Sequence, residues 1–289
     1  MNPPIQITGP VVEPVTLSDL KLQCGLSPIE DTDQVKEQMN AARLRRHIRG
    51  ARTLCENFTR RAFVTQVWKL QSDSWPYVDS RYHNGGSFNA EFYLPKPPFQ
   101  SIALMQYVDV NGTLQTLTQS LNYGSNPLDP IYGYQLDVSG DGAPARLLPP
   151  WAKPWPPLRR VANAVQVQFK CGYGGPVVGS TSAGSAILTG PVWNPGDVGQ
   201  AISIPGAGVA GATLVTSIAS VDVNGQATLA AAATTAVSNA TAYAGQPVPQ
   251  PILDAILTAA QFMYDGNPLT AKLPPSVADY LMPYINRVS

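Results

Sequence analysis

The chain has 289 residues and a formal net charge of zero, with 19 basic and 19 acidic side chains. Hydrophobic residues make up 44% of it and charged residues only 13%, which is typical of a folded protein and excludes a highly charged, disordered chain. The length predicts one large domain or two smaller ones. The 28 prolines and 24 glycines predict many turns and short strands, which argues against a helical bundle.

The sequence contains no recognisable targeting, membrane-spanning or metal-binding pattern. No N-terminal segment has the order of a signal peptide, and no apolar run is long enough to span a bilayer. We therefore expect an intracellular product that neither spans nor anchors to a membrane. The cysteines, Cys24, Cys55 and Cys171, are far apart and form no CxxC pair, so we expect core thiols and neither a disulfide framework nor a zinc site.

Two helices are predicted near the N-terminus. Residues 1–15 are rich in proline and are predicted to be extended, and Thr16 then has the position of an N-cap for a short helix that ends near Gly25. After a polar linker, residues 33–63 have apolar side chains mostly three and four positions apart, interrupted only by Gly50. This spacing predicts a long amphipathic helix with one buried face.

The predicted long helix is strongly basic. Residues 34–61 contain eight lysines and arginines but only two acids, which leaves a local charge of +6 in a neutral chain. Arg45, Arg49 and Arg52 fall on one stripe, where guanidinium groups can bind phosphates or an acidic surface of another subunit. A solvated helix face with ion pairs inside the chain is the alternative. Sequence-specific reading of DNA is not expected, because no recognition-helix motif accompanies the charge.

Short strands are predicted after residue 63, where the apolar period changes to two. The clearest is 163–171, in which four apolar residues alternate with glutamines and a lysine. The pair Asn111-Gly112 predicts a hairpin turn. The other predicted strands are 64–70, Phe92–Leu94, 102–110, 113–117 and 131–138.

A loop at residues 148–157 is too rich in proline for a helix or a central strand. It contains Trp151 and Trp155, which are candidates for contact with a partner chain. The alternative is that both tryptophans pack onto the predicted sheet, and the sequence does not decide between the two.

The composition changes abruptly after residue 175. Residues 176–247 contain no lysine, arginine, glutamate or histidine, and their only charges are Asp197 and Asp222. Strand patterns separated by Pro-Gly and Asn-Gly turns predict a small all-β module here, and a disordered glycine- and alanine-rich tract is the alternative. The predicted strands are Ala201–Ile204, 213–221 and 226–230.

Helical patterns return after residue 247. Pro251 suits a first helical turn, and an apolar stripe follows it as far as Gly266. A final helix is predicted over residues 276–288, interrupted by Pro283. The predicted fold class is therefore α+β, a helical layer with a small antiparallel sheet and an inserted all-β module.

Two short motifs resemble ligand-binding loops without the required context. The segment from Gly206 to Gly211 matches the GxGxxG dinucleotide fingerprint, but a strand pattern follows it where that fingerprint needs a helix. Residues 137–142 resemble the first half of an EF-hand loop, but Leu148 stands where calcium binding needs a glutamate. Turns in β-structure explain both motifs better. No nucleophile or acid–base arrangement is recognisable, so we expect no cofactor, no bound metal and no enzyme activity.

Six segments in a fixed order resemble head–tail connector proteins of tailed bacteriophages. They are EPVTLSDL (13–20), ARTLCENFTRRAFVTQVW (51–68), LPKPPFQSI (94–102), NAVQVQFKCGYG (163–174), VPQPILDAI (248–256) and LMPY (281–284). The resemblance covers residues 11–175 and 248–287. Members of that family generally pass almost directly from the Gly-Tyr-Gly turn to the Pro-x-Pro-Ile helix, so the segment 176–247 is an insertion, and it resembles small β-modules of phage tail and fibre proteins.

The resemblance implies a structural virion protein that is assembled in the host cytoplasm and resides at the head–tail interface. It implies a homo-oligomeric ring, usually of twelve copies, that docks beneath the portal protein. On its other side the ring would meet a tail-side connector, stopper or tail terminator protein, and packaged DNA would pass through its lumen without sequence specificity. A basic helix and an acidic remainder suit the heterologous interface of such a ring.

In related adaptors the C-terminal segment docks into the portal, which makes Tyr280, Leu281, Tyr284 and Ile285 the candidate docking residues. The connector core would then comprise residues 1–175 and 248–289. The alternative function is a tail-associated binding protein, anchored by the connector-like part, whose module at residues 176–247 contacts fibre, baseplate or host surface.

Overall fold

The computed structural model describes residues 3–10, 12–26, 34–76, 91–120, 133–138, 140, 143–150, 154–191, 193, 197–267 and 273–286, and their fold is α+β. The helices are α1 (Leu17–Gln23), α2 (Gln34–Thr59), α3 (Gln250–Tyr264) and α4 (Pro275–Leu281), the last followed by a 3₁₀ turn at Met282–Tyr284. The strands are β1 (Ile5–Thr8), β2 (Gln66–Ser72), β3 (Phe92–Leu94), β4 (Phe99–Val108), β5 (Leu114–Thr116), β6 (Gln135–Asp137), β7 (Ala145–Leu148), β8 (Val165–Cys171), β9 (Gly174–Thr181), β10 (Ile187–Leu188), β11 (Ala201–Ile204), β12 (Leu214–Val221), β13 (Ala227–Leu229) and β14 (Val237–Gly245).

The helices form one layer around a shared apolar core. Helix α1 begins at a capping box, in which the Thr16 hydroxyl accepts from the backbone N–H of Asp19 at 3.1 Å and the Asp19 carboxylate accepts from the N–H of Thr16 at 2.9 Å. The box satisfies two backbone donors that a helix start would otherwise leave unpaired. Helix α2 turns its apolar face towards α1 and α3. Its buried residues in this core are Leu44, Ile48, Ala51 and Cys55.

The central sheet has five strands in the order β1-β2-β8-β4-β5, and every neighbouring pair is antiparallel. Strand β8 alternates as predicted, and its four apolar residues are buried on the inner face of the sheet. That face shares a core with the second sheet, whose order is β3-β7-β6. The outer face carries Gln166, Gln168 and Lys170, which are only partly buried.

The inserted segment folds as a six-stranded sheet in the order β10-β13-β12-β11-β14-β9, with an apolar core of its own. We call strands β9–β14 and their connections the β-module. Strand β9 follows β8 after only two residues, and it pairs with β14 from Gly174↔Gly245 to Val237↔Thr181. At Gly172 the backbone has φ +112°, and a Cβ there would lie 2.2 Å from the carbonyl oxygen of Val64. Only glycine fits this close approach, which redirects the chain from the core into the module.

One buried carboxylate fixes the β-module against the outer face of the central sheet. Asp197 of the module is 1% exposed and accepts from the Nζ of Lys170 at 2.7 Å and from the Oγ of Ser101 at 2.7 Å. Ser101 and Lys170 are cross-strand neighbours on β4 and β8. A second contact joins the same surfaces, because Gln200 Nε2 donates to Gln100 Oε1 at 3.2 Å. Since an unpaired buried charge is costly, the three-way contact favours one position of the module.

A second buried carboxylate, Glu56 near the end of α2, joins the helical layer to the central sheet. Its Oε1 accepts from the backbone N–H of Phe63 at 2.8 Å and from Gln66 Nε2, at the start of β2, at 2.6 Å. Its Oε2 accepts from Arg52 at 2.6 Å, one helical turn earlier. Arg52 in turn donates through Nε to Glu13 of the N-terminal arm at 2.7 Å.

Burial raises the pKa of the Glu56 carboxyl, and the Arg52 guanidinium opposes this shift, as does the hydrogen bond from the Phe63 N–H. The ionised form of Glu56 is therefore disfavoured by desolvation and depends on its partners for stabilisation. Helix, arm and sheet are coupled through this one network, because removal of any partner leaves a buried polar group unsatisfied.

The structure confirms the predicted fold class and most predicted elements. The capped α1, the long α2, β3 and β11 lie where the sequence pattern placed them. The described part of 176–247 is an ordered sheet, so the alternative of a disordered tract is wrong there. The predicted helix over 276–288 is also wrong in extent, because α4 ends at Leu281 and Pro283 lies in a 3₁₀ turn. Strands not predicted are β1, β7, β9, β10 and β14.

The contacts of Asp197 predict that the two acids of the β-module contribute very differently to the free energy of unfolding. We expect Asp197→Asn to lower the free energy of unfolding by about 1.5–3 kcal/mol, because the Lys170 ammonium loses a charged hydrogen-bond partner. The matched control is Asp222→Asn, which also removes one negative charge but lies in an exposed turn, and we expect a change within about 0.5 kcal/mol. Urea unfolding of both variants is the measurement, and equal effects would contradict the role of Asp197.

The Glu56 network gives a second prediction. We expect Glu56→Ala to lower the free energy of unfolding by about 3–5 kcal/mol, because the buried Arg52 loses one counter-charge and the donors of Phe63 and Gln66 are left unpaired. The control is Asp279→Ala on α4, an exposed carboxylate for which we expect a change within about 0.5 kcal/mol. A loss below 1 kcal/mol for Glu56→Ala, roughly that of an ordinary surface contact, would show that the network is not coupled.

Candidate assembly surfaces

The exposed side of α2 carries basic groups with few acidic partners. Arg45, Arg46 and Arg49 are exposed, and we call these three residues the basic strip. Within the described residues the side chains of Arg45 and Arg46 make no hydrogen bond or ion pair. The side chain of Arg49 is 74% exposed, and its Nε lies 3.8 Å from Glu13 Oε1, too far for a strong pair.

No described acid on α2 balances the basic strip. Glu37, one of the two acids of this helix, is bound by Lys21 of α1, and the other, Glu56, is buried. The strip therefore presents a positive surface to solvent, of the kind that binds phosphates or a carboxylate surface.

The three arginines that the sequence placed on one stripe differ in their exposure. Arg45 and Arg49 lie in the basic strip, but Arg52 is 6% exposed and is held by Glu13 and Glu56. Arg52 is therefore a structural residue, and its assignment to a subunit or DNA contact is corrected. Arg46, which the stripe omitted, takes its place at the surface. The signal for Arg52 was present in the sequence, since Glu56 lies four positions later on the same helix.

The C-terminal segment is attached to the end of α2. Arg61 donates from Nε to the carbonyl oxygen of Tyr284, and its guanidinium lies 5.9 Å from the centroid of the Tyr284 ring. The backbone N–H of Asn286 donates to the carbonyl oxygen of Thr59 at 2.9 Å. The segment from α4 to Asn286 is thus part of the folded core.

The four candidate docking residues differ in how far they are exposed to a partner. Leu281 is fully buried in the helical core, so its role as a docking anchor is corrected. Tyr284 and Ile285 are partly buried. Tyr280 is 45% exposed, and its neighbour Met282, which the sequence did not single out, is 53% exposed. Tyr280 and Met282 are therefore the large apolar side chains that this segment offers to a partner.

Trp155 packs inside the protein, one of the two alternatives left by the sequence. Its ring stacks on Trp75 with the centroids 4.6 Å apart and an angle of 9° between the planes. Trp75 donates its Nε1–H to the carbonyl oxygen of Pro156 at 2.6 Å. Trp155 is 8% exposed, so partner contact is not its main role. Trp151 lies outside the described residues.

The β-module presents a surface with very few charges. Lys170 pairs with Asp197, and Asp222 binds the backbone N–H groups of Asn224 and Gln226 in its own turn. Valines project from this surface, and Val223 at the tip of the β12–β13 turn is completely exposed. A surface with few charges and exposed valines suits contact with protein better than contact with nucleic acid.

The described residues offer little for catalysis. None of them form a group of three or more histidine, cysteine or acidic side chains that could hold a metal ion. Burial raises the pKa of the Cys55 thiol to about 12 and also raises that of Cys171, so both are protonated at neutral pH and unsuited to nucleophilic attack. Asp137 of the EF-hand-like segment is bound by Arg146. Among the described helices, none is long and apolar enough to cross a membrane.

No protein-family model and no curated protein matches this chain. Solved structures of gene transfer agent particles contain chains with a similar fold. A chain in the neck of an empty gene transfer agent (GTA) particle, computed with C6 symmetry, superposes with a TM-score of 0.54 and 12% sequence identity, and the match covers 100% of this chain and 97% of that one.

The second structure is the virion of a native gene transfer agent particle. Its chain superposes with a TM-score of 0.52 and 12% identity, covering 99% of this chain and 96% of that one. Identity this low establishes a shared fold and nothing finer. Because both matches extend over nearly all of both chains, the β-module belongs to the fold that the three chains share.

Proposed function

We propose that this chain is a non-enzymatic structural component of a phage-like particle, a head-to-tail adaptor that forms a ring under the portal and continues the DNA channel to the tail. The observation that carries the proposal is the fold similarity to a chain in a particle neck, which extends over the entire chain. The six connector-like sequence segments point independently to the same place in a particle.

The symmetry of the neck supports a ring. The neck with the similar chain was computed with C6 symmetry, which accommodates six copies of a chain or a multiple of six. Twelve copies of the present chain, the number that the connector resemblance implies, satisfy this condition. A ring requires a heterologous interface, in which two different surfaces of each copy meet.

The basic strip supports a contact with packaged DNA. Arg45, Arg46 and Arg49 are exposed, lie on one helix face and have no balancing acid on α2. Their charge suits phosphates of any sequence, as a channel for DNA requires, whereas specific reading would need side chains presented to base edges.

The C-terminal segment is the proposed portal-docking element. Tyr280 and Met282 present apolar surface to solvent, and the contacts of Arg61 and Asn286 hold the segment in place before docking. A pre-ordered anchor loses less conformational entropy on binding than a disordered tail would.

The second candidate function is a tail-associated binding protein. The surface of the β-module, which has few charges and bears valines, favours it, because such a surface suits a contact with fibre, baseplate or host protein. The two functions differ in copy number, since an adaptor matches the portal subunit and a fibre-type protein usually occurs in threes or sixes.

Quantitative mass spectrometry of purified particles tests the proposal. We expect this chain and the portal subunit in a ratio near one to one, because each adaptor copy docks on one portal copy. A clear departure from that ratio would favour the tail-associated protein, and absence of the chain from particles would exclude both structural functions.

The basic strip gives a prediction for DNA binding. We expect the variant Arg45→Gln/Arg46→Gln/Arg49→Gln to bind duplex DNA more weakly and with a shallower salt dependence. Each arginine that meets a phosphate contributes about 0.9 to the slope of log K against log salt, so three contacts correspond to a slope change of about 2.7. Fluorescence anisotropy over a salt series measures it. The control is Arg160→Gln, an exposed arginine outside α2, and an unchanged slope in the triple variant would show that the strip is only solvated.

A further inference from the structure

The central sheet has two edge strands, β1 and β5, and the free edge of each pairs with no described strand. β1 pairs only with β2 at one end of the sheet, and β5 pairs only with β4 at the other. All four residues of β1 are exposed, including Ile5 at 48%, and Leu114 of β5 is 52% exposed. Such edges carry unpaired backbone N–H and C=O groups that can bind another strand.

The strand register places the exposed apolar residues of the two edges on one face of the sheet. Ile5 is opposite Lys69, which is opposite Gln168 on β8. Leu114 is opposite Val108, two residues after Gln106, which is opposite Gln166 on β8. Because residues two positions apart share a face, Ile5 and Leu114 both lie on the outer face, with Gln166 and Gln168 between them.

Neither edge carries the charges that usually prevent strands from pairing between molecules. β1 reads Ile-Gln-Ile-Thr and β5 reads Leu-Gln-Thr, so the strands contain no lysine, no acid and no proline. Prolines flank β1 instead, at Pro4 and Pro10, and they lack the N–H group needed to extend a ladder. Pairing at this edge is therefore permitted but limited in length.

We propose that β1 of one copy of this chain pairs with β5 of the next copy, so that the central sheets join head to tail. The alternating antiparallel order means that β1 and β5 run in the same direction, so a junction that continues the sheet is a parallel pair. Ile5 and Leu114 then become neighbours across the junction, which removes both from water. The partner is a second copy because each molecule holds both halves of the contact.

This inference rests on the ring of the proposed function and names its interface. Two different edges meet, so the contact is heterologous and closes into a ring if the rotation between copies permits. Each junction involves strands of four and three residues and is weak by itself. Closure makes the last junction intramolecular, so a ring is far more stable than an open chain of the same copies.

Lysine substitutions at the two edges test the pairing, with sedimentation velocity of the full chain at high concentration as the readout. We expect the wild type to form oligomers, and Ile5→Lys and Leu114→Lys each to remain monomeric, because a lysine at either edge blocks the junction. Both positions are about half exposed, so the monomer should keep its near-UV circular dichroism spectrum. The control is Val223→Lys in the β-module, an exposed valine to lysine change away from both edges, which should oligomerise like the wild type.

Mixing the two edge variants distinguishes a head-to-tail contact from a symmetric one. The Ile5→Lys copy retains an intact β5 edge and the Leu114→Lys copy an intact β1 edge. At the same high concentration an equimolar mixture should therefore form dimers and nothing larger, and these dimers should dissociate more readily than wild-type rings because each has one unclosed junction. A wild type that stays monomeric, an Ile5→Lys variant that oligomerises normally, or a mixture that stays monomeric would overturn the proposal. Loss of oligomers in Ile5→Lys but not in Leu114→Lys would overturn it in favour of a symmetric β1–β1 contact.

The outcomes separate this inference from the proposed function. A copy number near that of the portal, together with normal oligomers of Ile5→Lys, leaves the ring standing and rejects the edge pairing. A copy number clearly different from that of the portal subunit rejects the adaptor ring. The sedimentation experiment still reports whether copies of the chain join through these edges.

Discussion

The buried ion pair between Arg52 and Glu56 is the constraint on which the arrangement of the core depends. Glu56 binds the first residues after α2, and Gln66 Oε1 accepts from Gln6 of β1 at 2.7 Å, so one network extends from the helix to the edge strand. A buried carboxylate cannot shift to a new partner without a period of unpaired charge, so this network resists sliding of α2 over the sheet. The basic strip and the β1 edge are thereby held in fixed relation.

The β-module is also held in place by one buried carboxylate, although its composition differs from that of the core. It has its own apolar core, and its surface carries very few charges. Its one buried acid, Asp197, pairs with Lys170, the one lysine of β8. Beyond this contact, β8 presents Gln166 and Gln168 on the outer face of the sheet. The basic strip, the β-module with its few charges and the two sheet edges thus lie in separate parts of the molecule, as expected of a protein that binds several unlike partners.

The sequence predicted what short-range periodicity determines. The cap at Thr16, the alternation of β8 and the turns of the β-module depend on neighbours within a few residues. It did not predict β9 and β14. These two strands form because they pair with each other although they are about sixty residues apart in the chain, and their own sequences are poor in strand-forming residues. For the surfaces, helix spacing placed Arg45 and Arg49 on the exposed side of α2, and Glu56, four positions after Arg52, was the sequence signal that Arg52 is paired. The second partner of Arg52, Glu13, lies outside the helix and could not be found from helix spacing. Leu281 was likewise assigned by residue type, and only tertiary packing shows that it is interior.

The point at which the β-module leaves and re-enters the core has an evolutionary consequence. Gly174 and Gly245 are directly paired, so their Cα atoms are separated by only the spacing of neighbouring antiparallel strands, about 5 Å. A tight turn could close that gap, and the entropy of closing so short a loop is small. The whole unit could therefore be gained, lost or exchanged between lineages without refolding of the helices or the central sheet. The core residues that contact the module, Lys170 and Ser101 at Asp197 and Gln100 at Gln200, would then need new partners.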